Sequence, residues 1–333
     1  MRKGIDHMKN ILLAGLLLPG LAQATEAVKG VPVGGIVLNN TDRIGLKKQV
    51  LNISRASVSS EYELLNESTM PLEETITFPL PEYAVAKLPA GAYYGEPAGL
   101  TITVDGKPAP FKTLLVARMK DSDVTSQLRK LGLTDAQIAY HPAFGVELAY
   151  NPLTPAQEQQ LAKLKLWTAV TGPAWTVQPT YMWKQKFPVK QVVKVQYAYR
   201  PFVTRGAAGA GVPAVEPDFA ARYCADKAFM GAYKKAGAKS GKDAVDGNHV
   251  HYLLKNGNAW KNGIEDFTLN VSKLNPGELL TLCFPGRPPK PRAKTFQFRQ
   301  ANFRPNQDLD IYFGNLGAGQ VKHGSGVMPT LNR

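Results

Sequence analysis

VLNISRASVSSEYELLN, residues 50–66, alternates in hydropathy with a period of two on both sides of a short polar break. Leu51 and Ile53, then Val58, Ser60, Tyr62 and Leu64, fall on one face, the alternation of β structure, which Asn66-Glu67-Ser68 breaks. Outward from this stretch the same grammar repeats. ETITFPLP (74–81) puts Ile76 and Phe78 on one side and ends at Pro79 and Pro81, which cannot donate to a ladder. LTITVDGKPAP (100–110) adds a strand closed by a turn at Asp105-Gly106. AWTVQPTYMWKQKFP (174–188) and VKQVVKVQYAYRPF (189–202) are two more runs around a proline-containing turn. In the second, Val193, Val195, Tyr197 and Tyr199 share a face. VHYLL, FTLNV, ELLTLCF, KTFQFR and DLDIYF complete the series. Many short strands with frequent turns predict a mainly β (α+β) fold, an antiparallel β-sandwich-like architecture with helical insertions.

Helical signals are few. SDVTSQLRKLG reads as a short helix stopped at Gly132, and Thr134 with Gln137 offers a capping box. Thr154-Pro155-Ala156-Gln157 is a stronger start, with an N-cap, a proline at the first helical position and Gln at N3. A helix from about Pro217 to Ala236 is expected to carry Cys224 and to line up Phe219, Tyr223, Met230 and Tyr233. The chain therefore divides into a leader (1–24), an N-terminal β region (25–117) and a helical insertion (118–166). A C-terminal β region with one helix (167–315) and a glycine-rich, aperiodic tail (316–333) follow.

The leader has the order of an export signal: Arg2, Lys3 and Lys9, then ILLAGLLLPGLA (11–22), then Ala22-Gln23-Ala24 as a small-x-small cleavage site. Cleavage there starts the mature chain at Thr25; Met8 is an alternative initiator. No later run is long and apolar enough to span a bilayer as a helix. Export is expected, to the periplasm or medium. The mature chain keeps 37 basic and 25 acidic residues, a formal +12 against +14 for the whole sequence. Such a charge would suit nucleic acid in the cytoplasm, but export takes that partner away and leaves an anionic envelope component or another exported protein. It equally suits a surface kept soluble by charge. Cys224 and Cys283 are an even pair in an oxidising compartment, where they are expected to bridge; two separate buried thiols are the alternative. Such a bridge stabilises by roughly 4 kcal/mol in the chain-entropy model.

The order of motifs resembles a bacterial exported family, domain of unknown function 4424. GGIVLNNTDRIGLKKQVLNIS (34–54), the FPLP strand, WKQKFP and VKVQYAYRP carry the likeness in the first two thirds. RYCADKAF, HYLLKNGNAWKNGIEDFTLNV, LCF and FRPNQDLDIYF extend it to about Phe313. The FPLP strand is also similar to a motif of the vault and inter-alpha-trypsin domain, over about 60 residues. Membership implies export, a Cys224–Cys283 pair and one arrangement of strands; it implies no catalytic residues.

No catalytic set and no cofactor are expected from the residues. His249 and His251 alternate in a strand and share a face, so they become metal ligands if a carboxylate such as Asp246 joins them. Surface or half-buried histidines are the simpler expectation. His141 and His323 have no visible partner, and Ser325 lacks the strand–turn–helix setting of a nucleophile. The loop Gly206–Gly211 lacks the residues of a phosphate cradle. Glu73-Glu74 and Asp308/Asp310 read as solvent-facing strand positions. Trp167, Trp175, Trp183 and Trp260 form either a binding platform or, more simply, core. GRPPKPRAKTFQFRQANFR (286–304) presents Arg287, Lys290, Arg292, Lys294, Arg299 and Arg304 as a basic ribbon for an anionic surface. The residues thus favour an exported non-catalytic β-rich binding or structural protein. An exported hydrolase or metal-dependent enzyme with a site assembled from distant residues, and a subunit of an envelope assembly, are the alternatives.

Overall fold

The computed structural model describes residues 35–38, 42–80, 82–85, 100–139, 153–199, 201, 204–205, 219–240, 247–255, 260–284 and 293–315. The leader, the loop 206–211, the tail 316–333, His141, Asp246, Arg287, Lys290 and Arg292 lie outside the described residues, as do His323 and Ser325. The first half of the chain runs β1 (Ile44–Ile53), β2 (Val58–Asn66), β3 (Leu72–Pro79), β4 (Tyr83–Ala84), β5 (Thr101–Val104), β6 (Lys107–Pro108), β7 (Lys112–Met119) and β8 (Ser122–Asp123). Then come α1 (Thr125–Lys130), α2 (Asp135–Ala139), α3 (Pro155–Lys163), β9 (Trp167–Thr168), β10 (Gly172–Pro173), β11 (Thr176–Phe187), β12 (Val192–Tyr199) and β13 (Thr204–Arg205). The last third holds α4 (Phe219–Tyr223), α5 (Lys227–Ser240), β14 (Gly247–Tyr252), β15 (Ile264–Ser272), β16 (Leu279–Leu282), β17 (Thr295–Phe303) and β18 (Leu309–Gly314).

The largest sheet has seven strands in the order β17-β15-β1-β2-β12-β5-β6. The alternating stretch 50–66 belongs to a hairpin of β1 and β2, with Leu51 opposite Ser60 and Ile53 opposite Val58. Their inward residues and those of β12 (Val193, Val195, Tyr197, Tyr199) are buried. The outward face carries amides and hydroxyls bonded to one another: Asn52 to Ser59, Asn270 to Asn52, and Gln297 to Asn270. One dry and one wet face is what alternating strands require. The pairing is antiparallel except between β1 and β15, which run parallel with Leu51 opposite Leu269. Strands from both ends of the chain thus share one sheet.

Two smaller sheets cover the dry face. The first is β3-β11-β7-β8, with β4 also on β11; the second is β13-β14-β18-β16. Ile76, Phe78, Tyr181 and Trp183 from the first join Val250, Tyr252, Ile311 and Phe313 from the second in one core with the seven-stranded sheet. This is the expected sandwich-like packing, with the two smaller sheets and the seven-stranded sheet sharing one core. β11 and β12, adjacent in sequence, belong to different layers, so the turn at Pro188 carries the chain across the sandwich.

The predicted short helices form, α1 over Thr125–Lys130 without a side-chain cap and with Ser122-Asp123 taken into β8, α2 and α3 with the expected caps. Thr134 and Gln137 exchange hydrogen bonds at the start of α2, and Thr154 and Gln157 do the same for α3. These helices build a second core with β7 and β11 from Leu128, Ile138, Leu161, Trp175 and Val177. All four tryptophans are core residues, none more than 8% exposed, so the platform reading is set aside. Glu74 shares the buried face of Ile76 and Phe78, contrary to the solvent-facing expectation, whereas Glu73 is exposed.

The expected single helix 217–236 is two. Cys224 adopts a left-handed φ of 49°, which ends α4, and Asp226 accepts a bond from Phe229 N at 2.7 Å to start α5. Phe219, Tyr223, Phe229 and Tyr233 from these helices pack on Tyr312 and Leu279, forming a third core on the outer face of the four-stranded sheet. Among the described residues no helix is long and apolar enough to cross a membrane.

Candidate functional site

The outer face of the four-stranded sheet is where polar chemistry converges. In β14, Asn248, Val250 and Tyr252 are buried inward, which turns Gly247, His249 and His251 outward. In β18, Leu309, Ile311 and Phe313 point in, and Asp310, Tyr312 and Gly314 point out. The register sets Gly247 opposite Gly314, His249 opposite Tyr312 and His251 opposite Asp310. A one-residue slip would expose Val250 and Ile311, so the core fixes which outward groups meet. The glycine pair has a specific reason: a Cβ on Gly247 would sit 2.1 Å from the Tyr312 hydroxyl. The Tyr312 ring needs that space.

Asp310 Oδ1 lies 2.7 Å from His249 Nε2 and 3.0 Å from His251 Nδ1. Arg222 Nη2 approaches the same oxygen at 3.5 Å. All three side chains of the His/His/Asp set are partly exposed: 14% for His249, 37% for His251 and 29% for Asp310. Burial acts to raise the Asp310 carboxyl, but the hydrogen bonds from His249 and His251 outweigh it and hold the group well below the ordinary carboxylate range. Tyr223 closes one side, its ring centroid 5.5 Å from that of His249, and Arg222 lies over the Tyr223 ring at 5.4 Å.

Cys224 and Cys283 are joined, 59 residues apart in sequence. The bridge ties the end of α4 to the strand end of β16. Thr281 Oγ1 reinforces the join by donating to Tyr223 O at 2.8 Å. The wall of the cluster is therefore fixed to the sheet covalently and by a buried hydrogen bond.

His249 and His251 thus meet a carboxylate, supplied by Asp310; Asp246 lies outside the described residues. The solvent-facing expectation for Asp308 and Asp310 fails as well: Asp310 on β18 is held by the two histidines, and Asp308, just ahead of β18, is engaged by backbone N–H groups. Asp308 Oδ1 accepts from Leu254 N at 2.9 Å and Lys255 N at 3.0 Å. A signal for Asp310 was present, since HVH and LDI both interrupt an apolar strand with outward polar residues. Pairing the two segments needs the register, which periodicity does not contain.

Of the basic ribbon, Lys294, Arg299 and Arg304 are among the described residues. Lys294 is exposed just before β17, and Arg299 faces solvent on β17, an edge strand. Arg304 is occupied: its guanidinium donates to the carbonyls of Trp260 and Lys261, clamping the chain ahead of β15. Two of the six ribbon residues are therefore free-standing cations among those described, and the third is a structural clamp.

The fold defines a two-layer β-sandwich with capped helices, a single disulfide and a His/His/Asp cluster on an outer face. The chain belongs to the family of the domain of unknown function DUF4424, whose model matches residues 24–312. No curated protein matches it. Among solved structures it is similar to a putative nutrient binding protein from Legionella pneumophila, at 13% identity and TM-score 0.43, over 84% of this chain and 70% of that one. It is also similar to an M1 zinc metallopeptidase from Deinococcus radiodurans, at 9% identity and TM-score 0.24, over 81% of this chain and 42% of that one.

Proposed function

We propose that this protein is an exported β-rich binding protein that holds a partner at the cell envelope or in the periplasm without transforming it. The observation that carries the reading is the pairing of its only two cysteines in a chain headed by a charged, apolar and AQA-terminated leader. Disulfides persist in oxidising compartments and are rare where thiols are kept reduced. Binding is supported by the outer-face cluster, which presents ligand-type groups from rigid strands on a side open to solvent. Cell fractionation with N-terminal sequencing tests the reading. A product starting at Thr25, with no free thiol, in the periplasm or medium is expected. An intact leader in the cytosol with both cysteines reduced overturns it. Charge reversal at Arg287, Lys290 and Arg292 is expected to weaken envelope retention at low salt, and unchanged fractionation removes the ribbon from this reading.

One observation favours a second reading, an exported metal-dependent hydrolase: His249 and His251 meet Asp310 from 59 residues away or more. Turnover of ester, peptide or phosphoester substrates by the purified, metal-supplemented protein separates a catalyst from a binder.

A further inference from the structure

We propose that His249, His251 and Asp310 form a solvent-open binding site for a divalent transition-metal ion of the zinc class. The ligand atoms are His249 Nε2, His251 Nδ1 and a carboxylate oxygen of Asp310, all within 4.8 Å of one another. Bonds of about 2.1 Å at right-angle or tetrahedral geometry separate neighbouring donors by roughly 3.0–3.4 Å. The two histidine–carboxylate separations, 2.7 and 3.0 Å, are already close to that edge length. The two histidine side chains project from one face of β14 with ring centroids 6.2 Å apart, and rotation of the rings closes the histidine–histidine edge around an ion.

The donor chemistry narrows the ion. Two imidazoles and one carboxylate suit zinc, iron, cobalt or nickel, whereas magnesium and calcium take oxygen ligands almost throughout. Three protein ligands leave at least one coordination position for water or another ligand. The exposures of 37% for His251 and 29% for Asp310 put that open position on the solvent side. The groups facing the site from α4 are Tyr223, which packs against His249, and Arg222, whose guanidinium competes with an ion for Asp310. The backbone needs no change to admit the ion: β14 and β18 are locked in register by Val250, Tyr252, Leu309 and Ile311, each at most 1% exposed. The site also does not depend on export or on catalysis, so a failed fractionation test leaves it standing.

The rival to an ion is a pair of ordinary hydrogen bonds: the same distances describe two ring N–H groups donating to one carboxylate. Metal content of the full mature chain with its disulfide intact decides between them. After chelator treatment and dialysis against excess Zn²⁺, elemental analysis is expected to find one ion per chain, and Co²⁺ in its place to give visible ligand-field absorption. His251→Gln and Asp310→Asn are each expected to weaken zinc binding by more than roughly tenfold, the lower end of what losing an outer-shell partner of a metal ligand costs. Unchanged far-UV circular dichroism and an absence of free thiol show that these variants keep the fold. On the unaltered protein, the ring nitrogen resonances of His249 and His251 are expected to shift on addition of zinc at constant pH. Substoichiometric zinc, zinc retained undiminished by both variants, or histidine resonances that respond to pH and not to zinc would each overturn the site.

Discussion

Arg55 donates through Nε to Glu278 Oε1 at 2.9 Å, and the two side chains are only 5% and 0% exposed. The pair joins the β1–β2 turn to the segment leading into β16, elements 223 residues apart. Glu278 is saturated with donors: Leu274 N reaches Oε2 at 3.0 Å and Asn275 Nδ2 reaches Oε1 at 3.1 Å. It is therefore a fastener between the seven-stranded sheet and the sheet that carries the His/His/Asp cluster.

Removing one partner leaves the other charge buried without compensation, which costs about 3–5 kcal/mol. Glu278→Ala is expected to lower the urea midpoint by that much stability at neutral pH. The double variant Arg55→Met, Glu278→Leu is expected to lose less, because the Arg55 charge goes with its partner and only Lys273, a buried ammonium that Glu278 also favours, is left uncompensated. Equal losses in the single and double variants would show that packing, and not charge, holds the joint.

A second buried network makes stability sensitive to alkali. Gln49 Nε2 donates to the Tyr62 hydroxyl at 3.1 Å, and the hydroxyls of Tyr197 and Tyr252 lie 2.7 Å apart between the layers. Burial, reinforced by the neighbouring tyrosines, pushes the Tyr197 and Tyr252 phenols well above the ordinary value near 10. In the unfolded chain these phenols lose their protons near that ordinary value, while in the fold they keep them. The folded state then binds more protons, so stability falls as pH rises above about 10. Urea midpoints measured from neutral pH upward are expected to decline there. Tyr252→Phe is expected to flatten part of the decline and to cost about 1 kcal/mol at neutral pH by removing the Tyr197–Tyr252 hydrogen bond, the Tyr62 hydroxyl remaining 3.4 Å from that of Tyr197.

Much of this was legible in the linear chain, for a physical reason. A face alternation such as that of Tyr62, Tyr197 and Tyr199, or a cap such as Thr154 with Gln157, is written within a few residues. The Cys224–Cys283 bond was legible by count alone. What joins distant segments was not: the parallel pairing of β1 with β15 and the meeting of His249 with Asp310 depend on register set by the whole core. Cys224 shows the same limit at short range. Its neighbours have helical periodicity, but its bond to Cys283 accompanies a left-handed backbone that divides the helix. The tertiary constraint overrode the local preference.

Gly247 offers a sharp test of the sheet that bears the cluster. Its missing side chain admits the Tyr312 ring, which is fully buried and touches Phe219 edge-on at 4.9 Å. Gly247→Ala forces that ring into the helix-covered core, and overpacking of this kind typically costs 1–3 kcal/mol. A matching loss of thermal stability is expected. Tyr312→Phe in the same chain is expected to recover part of it, since the hydroxyl oxygen is the nearest clash. No recovery would place the strain elsewhere in the strand.

The disulfide has two separable effects, and they can be measured apart. Closing a 59-residue interval restricts the unfolded chain, which stabilises the fold by roughly 4 kcal/mol in the chain-entropy model. Cys224→Ser with Cys283→Ser is expected to lower stability on that scale, as read from denaturant midpoints. The second effect is local. α4 is a single short turn held by the bridge, by the Thr281–Tyr223 bond and by its apolar face, and it carries Arg222 and Tyr223 to the edge of the cluster. Without the bridge, α4 is free to fray while β14 and β18 remain paired through their inward core. Amide hydrogen exchange is therefore expected to rise first in residues 219–224, with Val250 and Ile311 still protected. If the bridge instead held the sheet itself, protection at Val250 and Ile311 would fall together with that of α4, and the cluster would be a product of the disulfide and not of strand register.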